Sequence, residues 1–146
     1  MKITNRKAFY DYEILETLEA GINLLGAEVK AVRLGNADLS GSHIRIIGSE
    51  AYLVNAKIFP YTYGRPEGYE ENRTRKLLLH KKEIIALKSK TDGAGLTIIP
   101  VSLYTTRSFI KAEIAIAKGK KEYQKKEAKK KKDLDREMEQ ELNDTS

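Results

Sequence analysis

Phe109-Ile110-Lys111-Ala112-Glu113-Ile114-Ala115-Ile116-Ala117 is the stretch that decides the fold. Ile110, Ala112, Ile114 and Ile116 alternate with Lys111 and Glu113, the period-two pattern of a strand with one buried face. Upstream, Leu96 to Tyr104 reads as another strand. Pro100 inside it implies an edge or a bulge, because proline cannot donate to a ladder. Asp92-Gly93-Ala94-Gly95 separates that strand from a helical pattern over Lys81 to Lys90, with Ile84, Ile85 and Leu87 facing inward. Leu77-Leu78-Leu79 suits either a strand or the start of a helix.

The N-terminal half continues this reading. Phe9 to Leu18 is strand-like, with Tyr10, Tyr12, Ile14 and Leu18 pointing one way. Leu25, Val29 and Val32 fall at helical spacing, and Gly35 sits where a helix C′ glycine belongs. His43 to Ile47 and Ala51 to Val54 flank Gly48-Ser49, which suits a two-residue type II′ hairpin. Phe59 to Asn72 reads as a loop carrying Tyr61, Tyr63 and Tyr69. Five or six largely antiparallel strands with two or three short helices make a mainly β chain. A small closed barrel of OB type is the most economical arrangement.

Past Ala117 the chain changes character twice. From Lys118 to Lys132 there are nine lysines against two glutamates; from Asp133 to Ser146 there are six acids against one arginine. So little apolar surface cannot offset the entropy of ordering a packed core. The expected division is a folded domain over 1–117 and a basic-then-acidic tail over 118–146, disordered when free and ordered on a polyanion.

The chain has 146 residues, a net charge of +6 and a pI of about 9.4, which favour an anionic partner. No run of about 20 apolar residues suggests a membrane span, and Met1-Lys2-Ile3-Thr4 opens no signal peptide. The absence of cysteine excludes disulfides and thiolate metal sites and suits a reducing cytoplasm. A catalytic reading lacks parts. His43 and His80 have no acidic cluster beside them, so no metal or cofactor is expected. Gly93-Ala94-Gly95 follows a helix and precedes a strand, the reverse of a phosphate-binding glycine loop. Glu13, Glu16 and Glu19 are three apart, which puts successive ones on opposite strand faces.

Basic residues interleaved with aromatics point to nucleic acid. Arg73-Thr74-Arg75-Lys76 precedes Leu77-Leu78-Leu79 and His80-Lys81-Lys82. The cations suit phosphates, while Leu78 or His80 could pack on an unstacked base. Asn5-Arg6-Lys7 and the helix-face pair Lys30 and Arg33 could extend that surface, and eight tyrosines offer stacking faces.

Several blocks, in order, resemble the SsrA-binding protein (small protein B) family. They are Asn5-Arg6-Lys7-Ala8 with Tyr12, Leu18-Glu19-Ala20-Gly21, Gly26-Ala27-Glu28-Val29-Lys30, and Asn55-Ala56-Lys57-Ile58 with Pro60-Tyr61. Arg73 to Leu79, Leu103-Tyr104 and Ala117-Lys118-Gly119-Lys120-Lys121 complete the set. The resemblance implies an OB-fold barrel that binds the transfer-RNA-like domain of transfer-messenger RNA, one copy per RNA. It further implies delivery to ribosomes stalled on messages without a stop codon, where the protein replaces the missing anticodon arm and codon pairing. The tail would become helical in the empty messenger channel, and the nascent peptide would be tagged for proteolysis.

Carried over by residue, RNA contacts would involve Asn5, Glu19, Arg73, Thr74, Arg75, Lys76 and Leu78. Tail contacts with the decoding site would involve Lys118, Gly119, Lys120, Lys121, Tyr123, Lys125 and Lys126. This chain departs from the family at His80, where some members carry Asn, and at Gln124-Lys125-Lys126, where Asp-Lys-Arg is usual. Tyr123 stands where some members have His and keeps a stacking face. The competing reading is a generic ribosome-associated or single-strand RNA-binding OB protein; an RNA-modifying enzyme is the weakest.

Overall fold

The computed structural model describes residues 1–64, 66–121, 125, 134 and 136. Nine strands and three helices follow in the order β1 (Lys2–Thr4), α1 (Arg6–Asp11), β2 (Tyr12–Ile22), α2 (Gly26–Arg33), β3 (Ala37–Asp38), β4 (His43–Ile47), β5 (Glu50–Val54), β6 (Lys57–Ile58), β7 (Arg75–Leu78), α3 (Lys81–Thr91), β8 (Thr97–Thr105) and β9 (Ile110–Gly119) among the described residues. The main sheet runs β1-β8-β4-β5-β7-β2-β9, and the additional β8–β9 pairing closes it. Six antiparallel strands therefore form the barrel of OB type expected from the sequence, and β1 adds to β8 beside β4. β3 and β6 make a separate two-stranded sheet.

Closure rests on the longest ladders. β2 pairs with β9 from Tyr12↔Gly119 to Gly21↔Lys111, and β8 pairs with β9 from Thr97↔Ala117 to Thr105↔Ile110. The β8 register shifts between Pro100 and Ser102, so the proline sits at a bulge, where its missing N–H breaks no ladder bond. The barrel interior is filled by Leu53, Leu77, Leu103 and Ile114, all at most 1% exposed. Each such side chain contributes about 1.5–3 kcal/mol on burial. Ile47 pairs with Glu50 across Gly48-Ser49, and only Gly48 of the two has positive φ, as a type II′ turn requires.

Three local readings change. Phe9 and Tyr10 belong to helix α1, not to a strand; β2 starts at Tyr12. The Asn5 side chain decides this. It accepts from Ala8 N–H at 3.3 Å, capping the helix, while Nδ2 donates to Pro100 O at 2.8 Å. The last strand also buries more than one face. Ala115 and Ala117 are buried with Ile99, Val101 and Ala8 in a second cluster beneath α1. Alanine on that face lets the helix approach closely. In α3, Ile84 and Leu87 are buried, whereas Ile85 is exposed to solvent.

β9 also runs past Ala117. Lys118 and Gly119 pair with Glu13 and Tyr12, and Lys120 N–H donates to Asp11 O at 2.8 Å. The β2–β9 ladder thus continues to Gly119.

Candidate nucleic-acid interface

Strand alternation sorts the Arg73–His80 segment. Along β7, Arg75 and Leu77 point inward, while Lys76 and Leu78 point out. Leu78 and His80 therefore reach one open groove of about 600 Å³, shared with Lys76, Glu19, Gly21 and Lys111. Leu78 is 55% exposed there. Gly21 lies opposite it in the ladder, and a Cβ on Gly21 would stand 3.1 Å from Leu78 Cβ. The glycine thus lets Leu78 lie flat against β2. His80 caps α3, its N–H donating to Glu83 Oε1 at 2.9 Å, which fixes the backbone and leaves the residue exposed. Lys76 is paired to Glu50 at 3.3 Å, with both side chains largely solvated.

Glu19 is held at the groove by two groups that sequence reasoning left without a role. The Tyr104 hydroxyl donates to Glu19 Oε2, and Lys111 Nζ lies 3.9 Å from Oε1. Burial, the hydrogen bond to Glu19 and the charges of Glu19 and Glu113 push the Tyr104 phenol up to about 12. It therefore remains a donor throughout the neutral range. The outward position of Lys111 was legible from its alternation on β9; the Tyr104–Glu19 contact, 85 residues apart in sequence, was not.

Arg75 is placed elsewhere than expected. It is fully buried, and Nε and Nη2 donate to Glu28 Oε2 at 2.9 and 2.5 Å. Nη1 donates to Ala56 O, and Nη2 also reaches Tyr69 Oη and Glu71 O. With its donors committed inside, Arg75 ties β7 to α2 and the 59–72 loop. Asn5, 4% exposed and spent on its two bonds, is likewise structural here.

Glu28 is the hub that sequence reasoning missed. It reaches back to Leu25 N–H at 2.9 Å and binds Arg73 Nη2 at 2.5 Å and the Tyr69 hydroxyl at 3.0 Å. Burial alone would raise its carboxyl, but hydrogen bonds from Arg73, Leu25 N–H and Arg75 outweigh this and hold it below the usual range. Burial, then Glu28, pushes the Tyr69 phenol up. A glutamate three residues into a helix was the one signal available, and it reads only as a cap.

The network ties α2 to the 59–72 loop. On that side Lys30 Nζ sits 5.4 Å from the Tyr61 ring centroid, and Tyr61 and Tyr63 meet edge-on at 5.8 Å. Arg33 and Thr74 are exposed, and Arg73 is half-buried. Arg6 and Lys7 lie exposed on α1, and Lys7 lines a second groove of about 340 Å³ with Asp11, Tyr12 and His43. Lys118 and Lys121 are exposed, and Lys120 Nζ donates to Phe9 O at 2.9 Å. Lys125 Nζ is 3.5 Å from Asp11 Oδ1. Tyr123 and Lys126 lie outside the described residues. Among the described residues no group of three or more His, Cys, Asp or Glu is placed to hold a metal, and no helix is long and apolar enough to cross a membrane.

A small closed antiparallel barrel with an exposed leucine, a histidine and lysines around one strand-lined groove belongs to the OB class of ligand-binding folds. Within that class the family is defined. The family model described as SmpB protein matches residues 2–144, and the chain belongs to that family. It is 51% identical over 136 residues to the SsrA-binding protein of Sulfurihydrogenibium sp. (strain YO3AOP1), covering 93% of this chain and 90% of that protein. The SsrA-binding protein of Chlorobaculum tepidum is 48% identical over 139 residues, covering 94% and 88%. A solved chain described as "tmRNA-SmpB: a journey to the center of the bacterial ribosome" superposes with a TM-score of 0.70 at 45% identity, covering 83% of this chain and 85% of that one.

Proposed function

We propose that this chain binds transfer-messenger RNA and carries it to ribosomes stalled on messages lacking a stop codon, so that trans-translation tags the nascent peptide and frees the ribosome. Family membership over residues 2–144 carries this reading. The groove of Lys76, Leu78, His80 and Glu19 supports a body contact with the transfer-RNA-like domain, and Lys30, Arg33, Arg73 and Thr74 add further accessible polar groups. Arg6 and Lys7 on α1 add a second basic face. The chain acts as an adaptor in the cytoplasm, not as an enzyme, and the segment from Lys118 onward reaches the decoding site, with Tyr123 stacking there.

The test is competitive binding of the full chain to folded transfer-messenger RNA and to unstructured RNA of equal length. Much tighter binding to the folded RNA is expected, weakening with salt as phosphate contacts release counterions. Equal affinities would favour a generic single-strand binder.

A further inference from the structure

The root of the C-terminal segment is fastened to α1 by more contacts than the end of a strand needs. Helix α1 stops at Asp11, and its last carbonyls have no partner within the helix. Tyr12 N–H reaches Ala8 O, and Lys120 serves two more of them. Its Nζ donates to Phe9 O at 2.9 Å and its N–H to Asp11 O at 2.8 Å. A cation also suits the negative pole at that end of a helix. Beyond it, Lys125 N–H donates to Lys121 O at 3.2 Å, the spacing of one α-helical turn. The turn brings Lys125 Nζ back to 3.5 Å from Asp11 Oδ1. These two side chains are 27% and 26% exposed, against 44% and 42% in the Lys76–Glu50 pair. A pair shielded on both sides is screened less than an open one.

Strand β9, Lys120 and Lys125 thus hold the junction at three successive points. We infer that the end of α1 is a socket for the C-terminal segment, and that Asp11 is the positioning residue whose pair with Lys125 sets the direction in which the chain leaves the barrel. The inference rests on the adaptor reading above, in which the barrel holds RNA while the segment from Lys118 onward reaches the decoding site. The groove at Gly21 and the socket at Tyr12 lie at opposite ends of β2, roughly 30 Å apart at the rise of a strand. A fixed exit angle keeps the two contacts at one separation. It also removes the ordering cost that a free joint would add when both are made.

The chain has no cysteine, so a pair of spin labels can be placed cleanly. The full-length chain is labelled at Ser49→Cys and Lys126→Cys, and the distance distribution is read by pulsed electron resonance. A single narrow distribution is expected. Asp11→Lys and Lys125→Asp should each broaden it about twofold, and the two together, which exchange the charges, should narrow it again. Thermal melting verifies that every variant is folded. A merely structural role for Asp11 would show no such rescue. In the unlabelled chain, Asp11→Asn should bind transfer-messenger RNA as tightly as before and slow tagging on stalled ribosomes about threefold, the scale of one partly shielded ion pair.

Distributions equally broad with and without the Asp11–Lys125 pair, or a charge exchange that restores nothing, would overturn the socket. A narrow distribution that depends on Asp11, with tagging unchanged in Asp11→Asn, would overturn the positioning role. A narrow, Asp11-dependent distribution in a chain that supports no tagging at all would overturn the adaptor reading and leave the socket standing.

Discussion

At the scale of single residues, Glu28 and Arg75 have the largest energetic leverage. Both are essentially inaccessible to solvent and are joined by two hydrogen bonds. Glu28→Ala leaves a buried guanidinium without its partner and should cost about 3–5 kcal/mol in urea unfolding. The pair also sets the acid limb. The Glu28 carboxyl is depressed from its ordinary 4.5 in the folded chain. Above 4.5 it is ionised in both states and the stabilisation is complete. As the pH falls below that value the unfolded chain takes up the proton first, and the contribution drains until the lower folded value is passed. Unfolding midpoints measured across this window should decline with acid in the natural chain and less steeply in Glu28→Gln. Arg75 also explains why a basic cluster misleads when read linearly. Arg73, Arg75 and Lys76 look equivalent in sequence, but Arg75 is buried on Glu28, Arg73 is half-buried against the same carboxylate and Lys76 points out.

At the scale of elements, α1 shows how one side chain overrides a pattern. Phe9, Tyr10 and Tyr12 have strong strand preferences, yet six residues turn helical because Asn5 caps them and also anchors to the β8 bulge at Pro100. Asn5→Ala removes both bonds and should lower stability by about 1–2 kcal/mol. It should also expose Ala115 and Ala117, measurable as faster amide exchange at the C-terminal half of β9. The aromatic residues on α1 were readable as apolar, but which of them stay exposed was not. Phe9 is 46% and Tyr10 42% exposed, since only Ala8 of that helix is buried. Long alternating runs such as β9 were legible, whereas β1, β3 and β6, two or three residues each, are too short to carry a period.

At the scale of the whole molecule, the β2–β9 ladder runs past Ala117 to Gly119. A chain cut after Ala117 loses the Glu13↔Lys118 and Tyr12↔Gly119 pairs and the Lys120 bond to Asp11. It should be less stable than a chain cut after Lys121 by roughly 1–3 kcal/mol. Both cuts should bind transfer-messenger RNA and fail to support tagging on stalled ribosomes. If the longer cut still supports tagging, the tail is not the decoding-site element.

The sequence by itself determined the mainly β class, the hairpin at Gly48-Ser49, the bulge at Pro100 and the polyanion-binding character of the chain. Each of these follows from local chemistry: side-chain period, positive φ, a missing N–H, net charge. The tertiary structure alone decided that β8 closes on β9, that Arg75 faces Glu28 across 47 residues, and that Tyr104 meets Glu19. Barrel closure brings distant strands to within hydrogen-bond distance, and no local pattern encodes which outward side chains will then share a groove.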